Sequence, residues 1–580
     1  MRILLLTHAF NGLAQRLFVE LRAAGHAVSV ELDIADAVTE EAVQRFDPAV
    51  VLAPFLKRAI PPSVWQRRPC LVVHPGPPGD RGPSALDHAV LEGARDWGVT
   101  VLQAAADFDA GTVWAWQPCT LREGATKASL YRHEVVQAAT QAVRAALARW
   151  QPGGGAPAPA ELAPRPAARG WRPLLRAADR ALDWARHDAA EALRRIRSAD
   201  GFPGAAGMLF GEPCKLFDAH AASAAVDAET AAAVPGQVLA RRGPALLVRA
   251  ARGTLWIGHV RRGEAVDGVA PLKLAATTAF AAEAAALPDW PVPLQRGGDE
   301  WDELRYAEYG PPAARVGWLA FDFHNGAMSE RQSRRLVQAL AQARDRDTRV
   351  LVLAGGADFF SNGIHLHDIE AAAARAGDSA ADASMRAIEA IDDVALALLT
   401  LTDRLTVAAL RGNAGAGGCF LALAADRVWA QQGVLLNPHY KNMGNLYGSE
   451  YWTYLLPRRV GEPQARALMR GRLPMNAAQA VALGLVDEAF GDDAPAFEAQ
   501  LLPRALALAA DAGWTALVQA KQRQRAADEA ARPLADYRAD ELAHMRRNFY
   551  GFDPSYHVAR HHFVHRKPHA WTPRHLALHR

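Results

Sequence analysis

Apolar and polar positions along this chain of 580 residues fall into successive rhythms. Over residues 1–150, short apolar runs alternate with amphipathic stretches. ILLLT, AVSVEL, AVVLAPF and CLVVHPG read as strands, and NGLAQRLFVELRAAG spaces its apolar residues as a helix and ends on Gly. This alternation predicts a parallel sheet with crossover helices. Residues 171–290 change character. DAAEALRRIRSAD reads as a helix, and PGQVLARRGPALLVRAARGTLWIGHV as short strands joined by Gly turns, which predicts a small β-barrel. Residues 301–505 alternate again, with VGWLAFDF, RVLVLAGG, LTVAALRG and DRVWAQ as strands between helices, and residues 506–580 read as helical with a His-rich end. Two Pro/Gly-rich stretches, QPGGGAPAPAELAPRPAARG (151–170) and LPDWPVPLQRGGDE (287–300), separate these regions as linkers. The predicted class is multidomain α/β.

Half the residues are hydrophobic and 22% are charged, enough apolar material for several cores. The net charge of +3 gives no argument for nucleic acid or an anionic membrane. The four cysteines lie far apart and form no CxxC pair, so neither a zinc site nor a disulfide framework is expected. The first apolar run is short and lacks a cleavage-like site, and no run approaches the ~18 to 20 residues that span a bilayer. These features predict a soluble, cytoplasmic protein.

Candidate chemistry enters first at VVHPGPPGDRGPSALDHAVLEG (72–93), where His74 follows a strand and precedes a Gly/Pro-rich loop and a helix. Ligands of open α/β sheets bind beyond the carboxyl ends of strands. DFDAGTVWAW places Asp109 in a turn before another strand. A His and a carboxylate suit formyl transfer, one polarising the carbonyl and the other orienting the imidazole and moving protons. On the residues alone, both are equally turn formers. The segments resemble the 10-formyl-tetrahydrofolate-dependent formyltransferase family, which includes methionyl-tRNA formyltransferase. His74 with PGPPGDRG matches that family's His and loop, Asp109 in FDAGTVW matches its Asp turn, and IRSADGFPGA with PGQVL matches its small carboxyl-terminal domain of OB type. The resemblance implies a Rossmann-like domain in which Gly76, Arg81 and Gly82 face the folate. The family has Asn two residues before the His, where this chain has Val72. Loss of one carbonyl-polarising donor costs about 2.7 to 4 kcal/mol in the transition state.

In the second half, ADFFSNGIHLHDI (357–369) follows a strand, and GNAGAGGCFLALAADRVWA (412–430) sets a Gly-rich turn before a helix. Such turns let backbone N–H groups approach a ligand, and they also serve tight helix packing. With VGWLAFDFHNGAMS and AAQAVALGLVDEAF, these segments resemble the enoyl-CoA hydratase/isomerase (crotonase) superfamily. The resemblance implies that the N–H groups of Ile364 and Gly417 hold a thioester oxygen, with Gly363 and Ala416 beside them against CoA. Phe420 and His439 stand where a hydratase has its two Glu residues. The fold therefore implies a CoA thioester, and the substitutions argue against hydration. PHYKNMGNLYGSEYWTY (438–454) departs from the hydratase pattern and fills this gap. Tyr447, Tyr451 and Tyr454 fall at helical spacing, as core aromatics do. Tyr440 and Glu450 are the residues read as chemical, with Glu450 the base because an ordinary carboxylate is ionised at neutral pH.

The order of the halves, THAFNGLAQRLFVEL, and PHYKNMGNLYGSEYWTYLLPRRVG resemble the HypX (HoxX) family of hydrogenase maturation proteins across the chain. That resemblance implies formyl transfer from 10-formyl-tetrahydrofolate to CoA, splitting of formyl-CoA into CO and CoA, and delivery of CO to [NiFe] hydrogenase iron. It also implies the hydrogenase large subunit or its maturation complex as a partner. The alternatives are a hydrolase releasing formate and a non-catalytic folate- and CoA-binding scaffold. The tail holds seven His between His557 and His579, irregularly spaced among Arg and Lys. It is read as a basic segment docking onto the protein or CoA phosphates, with no metal assigned.

Overall fold

The computed structural model describes residues 1–150, 169–266 and 269–580, so residues 151–168 of the expected linker lie outside the described residues. The chain forms two compact units. One comprises residues 1–271, 275–289 and 568–580, and the other residues 272–274 and 290–567.

The first unit begins with β1 (Arg2–Thr7), α1 (Gly12–Ala23), β2 (Ala27–Leu32), β3 (Val50–Phe55) and β4 (Cys70–His74). β5 (Asp96–Gln103) and β6 (Val113–Thr120) complete a six-stranded sheet of order β2-β1-β3-β4-β5-β6. Ile3, Leu4, Leu5, Val50, Val51 and Leu52 are wholly buried, as expected of central strands covered on both faces. The pairs among β1 to β4 are parallel. β4–β5 and β5–β6 are antiparallel, which corrects the all-parallel expectation. The reason is local: β5 and β6 are joined directly by the loop carrying Asp109, which reverses the chain with no crossover helix. α2 (Ala189–Ala199) packs on the following antiparallel sheet, built from β7 (Ala205–Leu209), β8 (Glu212–Ala221), β9 (Val238–Arg242), β10 (Ala245–Arg249) and β11 (Thr254–Arg262) in the order β9-β10-β11-β8-β7.

Residues 568–580 lie along the edge strand β2. Leu576 accepts the Val30 N–H at 2.9 Å, Thr572 Oγ1 accepts the Leu32 N–H at 2.9 Å, and His579 and Arg580 both reach the buried Glu31. The expected basic docking tail thus closes an otherwise open sheet edge. Burial raises the Glu31 pKa, but His579, Thr572 and Arg580 outweigh it and hold the carboxyl below its usual range. A depressed carboxylate adds stability that is complete above its unfolded pKa of about 4.3 and fades as pH falls through the lower folded value. Deleting residues 568–580 should lower the melting temperature at pH 7 and promote association through bare β2. Calorimetry and light scattering check this, and an unchanged, monodisperse melt would contradict it.

The second unit contains β12 (Leu304–Tyr309), β13 (Val316–Phe321), β14 (Val350–Ala354), β15 (Leu405–Leu410), β16 (Arg427–Gln431) and β17 (Glu488–Phe490), in that spatial order. A smaller sheet joins Phe359–Ser361, Asn413–Gly415, Leu435–Asn437 and Met475–Asn476. Around these lie α3 (Ala380–Leu399), α4 (Gly417–Leu423), α5 (Trp452–Val460), α6 (Leu534–Tyr550) and α7 (Ser555–Val564). α5 starts at Trp452, so Tyr447 stands outside it and Tyr451 caps it, against the helical spacing expected for those tyrosines. His561 and His565, at the end of α7, hydrogen-bond Glu370, whose other oxygen takes Arg560 Nε at 2.7 Å. That guanidinium already neutralises the carboxylate. No single helix among the described residues is long and apolar enough to cross a membrane.

Candidate active site

The first unit gathers chemistry where β4 ends. His74 is buried, with Nε2 3.1 Å from Asp80 Oδ2 and Nδ1 3.4 Å from Asp109 Oδ1. Asp109 adopts φ 54° in the loop before β6, and its Oδ2 accepts the Gly82 N–H at 3.1 Å. Asp80 also binds Arg172 Nη2 at 2.6 Å. Burial lowers the pKa of an imidazole, yet the hydrogen bonds and charges of Asp109 and Asp80 prevail and raise His74 to about 9. Both aspartates are held below the usual range by His74, although burial opposes this. At neutral pH the site therefore presents an imidazolium between two carboxylates.

A cavity of about 180 Å³ opens against this triad, lined also by Arg81, Thr100 and Gly111. The predicted residues His74, Asp109 and Arg81 all line it, whereas Gly82 contributes its amide to Asp109. Gly76 lies under the triad. A Cβ there would stand 2.5 Å from both His74 Nε2 and Asp80 Oδ2, so only Gly admits the pair. Val72 packs against the Leu4–Phe46–Val51 core cluster. The sequence reading missed Asp80 and Arg172. Asp80 sits inside the PGPPGDRG loop already quoted, but Arg172 follows the linker and carries no local signal.

In the second unit the two expected loops meet. A Cβ built on Gly363 would lie 3.6 Å from the Gly417 nitrogen. The bridge between Met328 and Ile364 uses the Gly363 carbonyl and the His365 N–H, which turns the Ile364 amide the other way. Gly363 N–H is held by Ser361 Oγ, and Ala416 N–H by the Asn437 carbonyl. Among the described residues the Ile364 and Gly417 amides donate to no protein acceptor. Ala416 reaches φ 47° to present Gly417 at the start of α4, a conformation that non-glycine residues adopt only under strain.

Glu450 points at this spot. A Cβ on Gly417 would fall 2.1 Å from Glu450 Oε1. The Tyr440 hydroxyl hydrogen-bonds with Glu450 Oε2 and with the Ser449 carbonyl, and the Tyr440 ring stacks on Phe420 at 5.4 Å. Glu450, Tyr440 and Phe420 are all buried. Glu450 and Tyr451 are consecutive left-handed residues, both at φ 59°, an arrangement costing about 1 to 3 kcal/mol each that the surroundings must enforce. They do so from two helices. Asp392 on α3 accepts the Glu450 N–H at 2.8 Å, and Glu541 on α6 accepts the Tyr451 N–H at 2.9 Å. Burial, then the nearby Asp392 charge, push the Glu450 carboxyl above the usual carboxylate range. The expectation of an ordinary, ionised Glu450 is thereby corrected: an apolar, anionic setting favours the protonated form. Lys441 is half-buried and its ammonium is lowered by burial and by Arg472. Tyr454 turns its hydroxyl to Asp528 at 2.8 Å.

Asp392 and Glu541 were not read from the sequence. A signal exists, because Asp392 shares a helical face with Ile388, Ala395 and Leu399, and Glu541 with Leu534 and Met545, all buried. A carboxylate on an apolar face is seldom accidental.

Comparison with known proteins agrees with this two-part architecture. The formyl transferase family model matches residues 27–146, the formyl transferase carboxyl-terminal domain residues 174–272, and enoyl-CoA hydratase/isomerase residues 322–572. The chain is 52% identical to a hydrogenase maturation factor HoxX from Bradyrhizobium diazoefficiens, over 100% of this chain and 97% of that protein. It is also similar to the crystal structure of HypX from Aquifex aeolicus in complex with tetrahydrofolic acid. That likeness has 40% identity and a TM-score of 0.91, covering 100% of this chain and 99% of the other.

Proposed function

The chain belongs to the HypX/HoxX family of hydrogenase maturation factors, and from that premise we propose that it makes carbon monoxide from the formyl group of 10-formyl-tetrahydrofolate. In the first unit, the positive charge of the His74 imidazolium stabilises the negative charge that grows on the formyl oxygen while the CoA thiolate attacks the carbonyl carbon. Asp109 and Asp80 hold the ring and its charge. Arg81, which also lines the cavity, supplies a donor in place of the formyltransferase Asn, where this chain has Val72. The carbon–nitrogen bond breaks, the proton given up by the CoA thiol ends on the departing nitrogen of tetrahydrofolate, and formyl-CoA is formed.

In the second unit, the Ile364 and Gly417 amides hold the formyl oxygen. In its ionised form Glu450 takes the formyl proton as the carbon–sulfur bond breaks, and that proton passes to the departing thiolate. One C–H and one C–S bond break, one S–H bond forms, and the products are CO and CoA, with no water and no redox partner needed. Tyr440 holds the Glu450 carboxyl in place, and Phe420 keeps water from the thioester. The single observation that carries this reading is the Glu450 carboxyl seated against Gly417, at the point where the hydratase carboxylates are absent. The CO product suits the iron of a [NiFe] hydrogenase, which makes its large subunit or maturation complex the expected recipient.

Supplied with formyl-CoA alone, the protein should release CO and free CoA in equal amounts, measured on deoxyhaemoglobin and by thiol titration. Formate in place of CO would make it a hydrolase, and an unchanged thioester would leave only a carrier. Gly417→Ala should lower CO release by about 10²-fold, because the new methyl displaces Glu450 from its seat. The melting temperature and CoA binding, read by calorimetry, separate this from misfolding.

A further inference from the structure

We propose that Asp392 is a positioning residue of the second site: its carboxylate holds the Ser449–Glu450 backbone in the left-handed turn that aims Glu450 at Gly417, and it sets a second negative charge beside Glu450. The proposal rests on the reading of Glu450 as the base.

Asp392 lies on α3, wholly buried, with Leu398 and Ile391 of the same helix in the core. One of its oxygens, Oδ1, accepts both the Glu450 N–H at 2.8 Å and the Ser449 hydroxyl. Those two donors flank the peptide whose conformation decides where the Glu450 side chain points. A left-handed Glu is held only when its surroundings over-determine it, and one carboxylate oxygen gripping residues 449 and 450 together does this.

The other oxygen, Oδ2, has no hydrogen-bond partner among the described residues, and the nearest cation, Arg538 Nε, stands 3.8 Å away. Arg538 directs its Nη2 to Asp393 at 2.7 Å instead. A fully buried, half-satisfied carboxylate is costly, and a purely structural clamp is served as well by Asn. The retained charge points to a second effect. The groups facing Glu450 are Tyr440 on its own segment, Asp392 from α3, and Glu541 from α6, with Arg538 and Tyr451 at the margin. Burial raises Glu450, Asp392 and Glu541 alike, and Asp392 adds to the rise of both glutamates by like-charge repulsion. Asp392 thereby shifts the ionisation of Glu450 to higher pH and makes it a stronger base once ionised.

The test uses the full-length protein supplied with formyl-CoA, reading CO release across pH. Asp392→Ala removes grip and charge together and should lower CO release by about 10²-fold, as misplacement of a catalytic group by ~1 Å does. Asp392→Asn keeps an oxygen for both donors and should retain most of the rate, with its pH profile displaced towards acid. The crystal structure of Asp392→Ala should show Glu450 out of the left-handed region. Glu450 unmoved in that variant, an unchanged rate in Asp392→Ala, or an unchanged pH profile in Asp392→Asn would each overturn the proposal. Should the Ala variant not fold, the Asn profile decides alone. If the unaltered protein releases no CO from formyl-CoA, the reading of the site falls and the proposal with it. If only the variants fail to differ, the proposal falls alone.

Discussion

Glu450→Gln should lower CO release by about 10² to 10⁴-fold, the usual worth of a positioned acid–base group, while formyl-CoA accumulates. The substitution is close to isosteric. The glutamine amide can still meet the Tyr440 hydroxyl, and the backbone N–H at that position is still offered to Asp392, so the strained turn at φ 59° keeps its partners. Only the ability to take the formyl proton is removed. Because burial and Asp392 raise the Glu450 carboxyl, CO release by the unaltered protein should climb with pH as that group ionises, and this rise should vanish in Glu450→Gln. Mass spectrometry of the accumulated thioester and CO capture, run side by side, check both halves. Unchanged CO output would remove Glu450 from the mechanism and with it the account of the second site.

His74→Asn should abolish formyl-CoA formation to a comparable extent, about 10² to 10⁴-fold, while CO release from supplied formyl-CoA stays at the level of the unaltered protein. The second expectation follows because His74 belongs to the first unit and Glu450 to the second. The pH behaviour carries its own sign. A His raised to about 9 stays charged through neutrality. The stability it contributes is complete below the ordinary imidazole pKa near 6.5 and is lost as pH rises through about 9. The protein should therefore lose stability on going from pH 7 to pH 10, and His74→Asn should flatten that loss. Denaturant titrations at the two pH values measure it, and a variant losing as much as the parent would contradict the imidazolium.

Much of this was legible in the chain. His74 ends strand β4 and Asp109 lies in the loop before β6, so local pattern and the family resemblance place both. Glu450 and Tyr440 stand out because polar aromatics crowd a segment that departs from the hydratase pattern. The antiparallel turn of β5 and β6 was not legible, since strand periodicity is the same for either pairing. The Glu450 ionisation was misjudged for a similar reason. A side chain's ordinary pKa is a property of water, and the shift here comes from burial and then from Asp392 on α3, which lies 58 residues away in sequence. Residues that act through long-range packing leave only a faint trace, a carboxylate on an apolar helix face.

The central claim is that one chain converts a folate-borne formyl group into CO with CoA as carrier. The direct measurement incubates the purified protein with 10-formyl-tetrahydrofolate labelled with ¹³C in the formyl group, together with CoA, and collects the gas on deoxyhaemoglobin. The account predicts ¹³CO, with CoA needed only in catalytic amount and tetrahydrofolate released mole for mole. Labelled formate without CO, or CO that forms equally well without CoA, would contradict it.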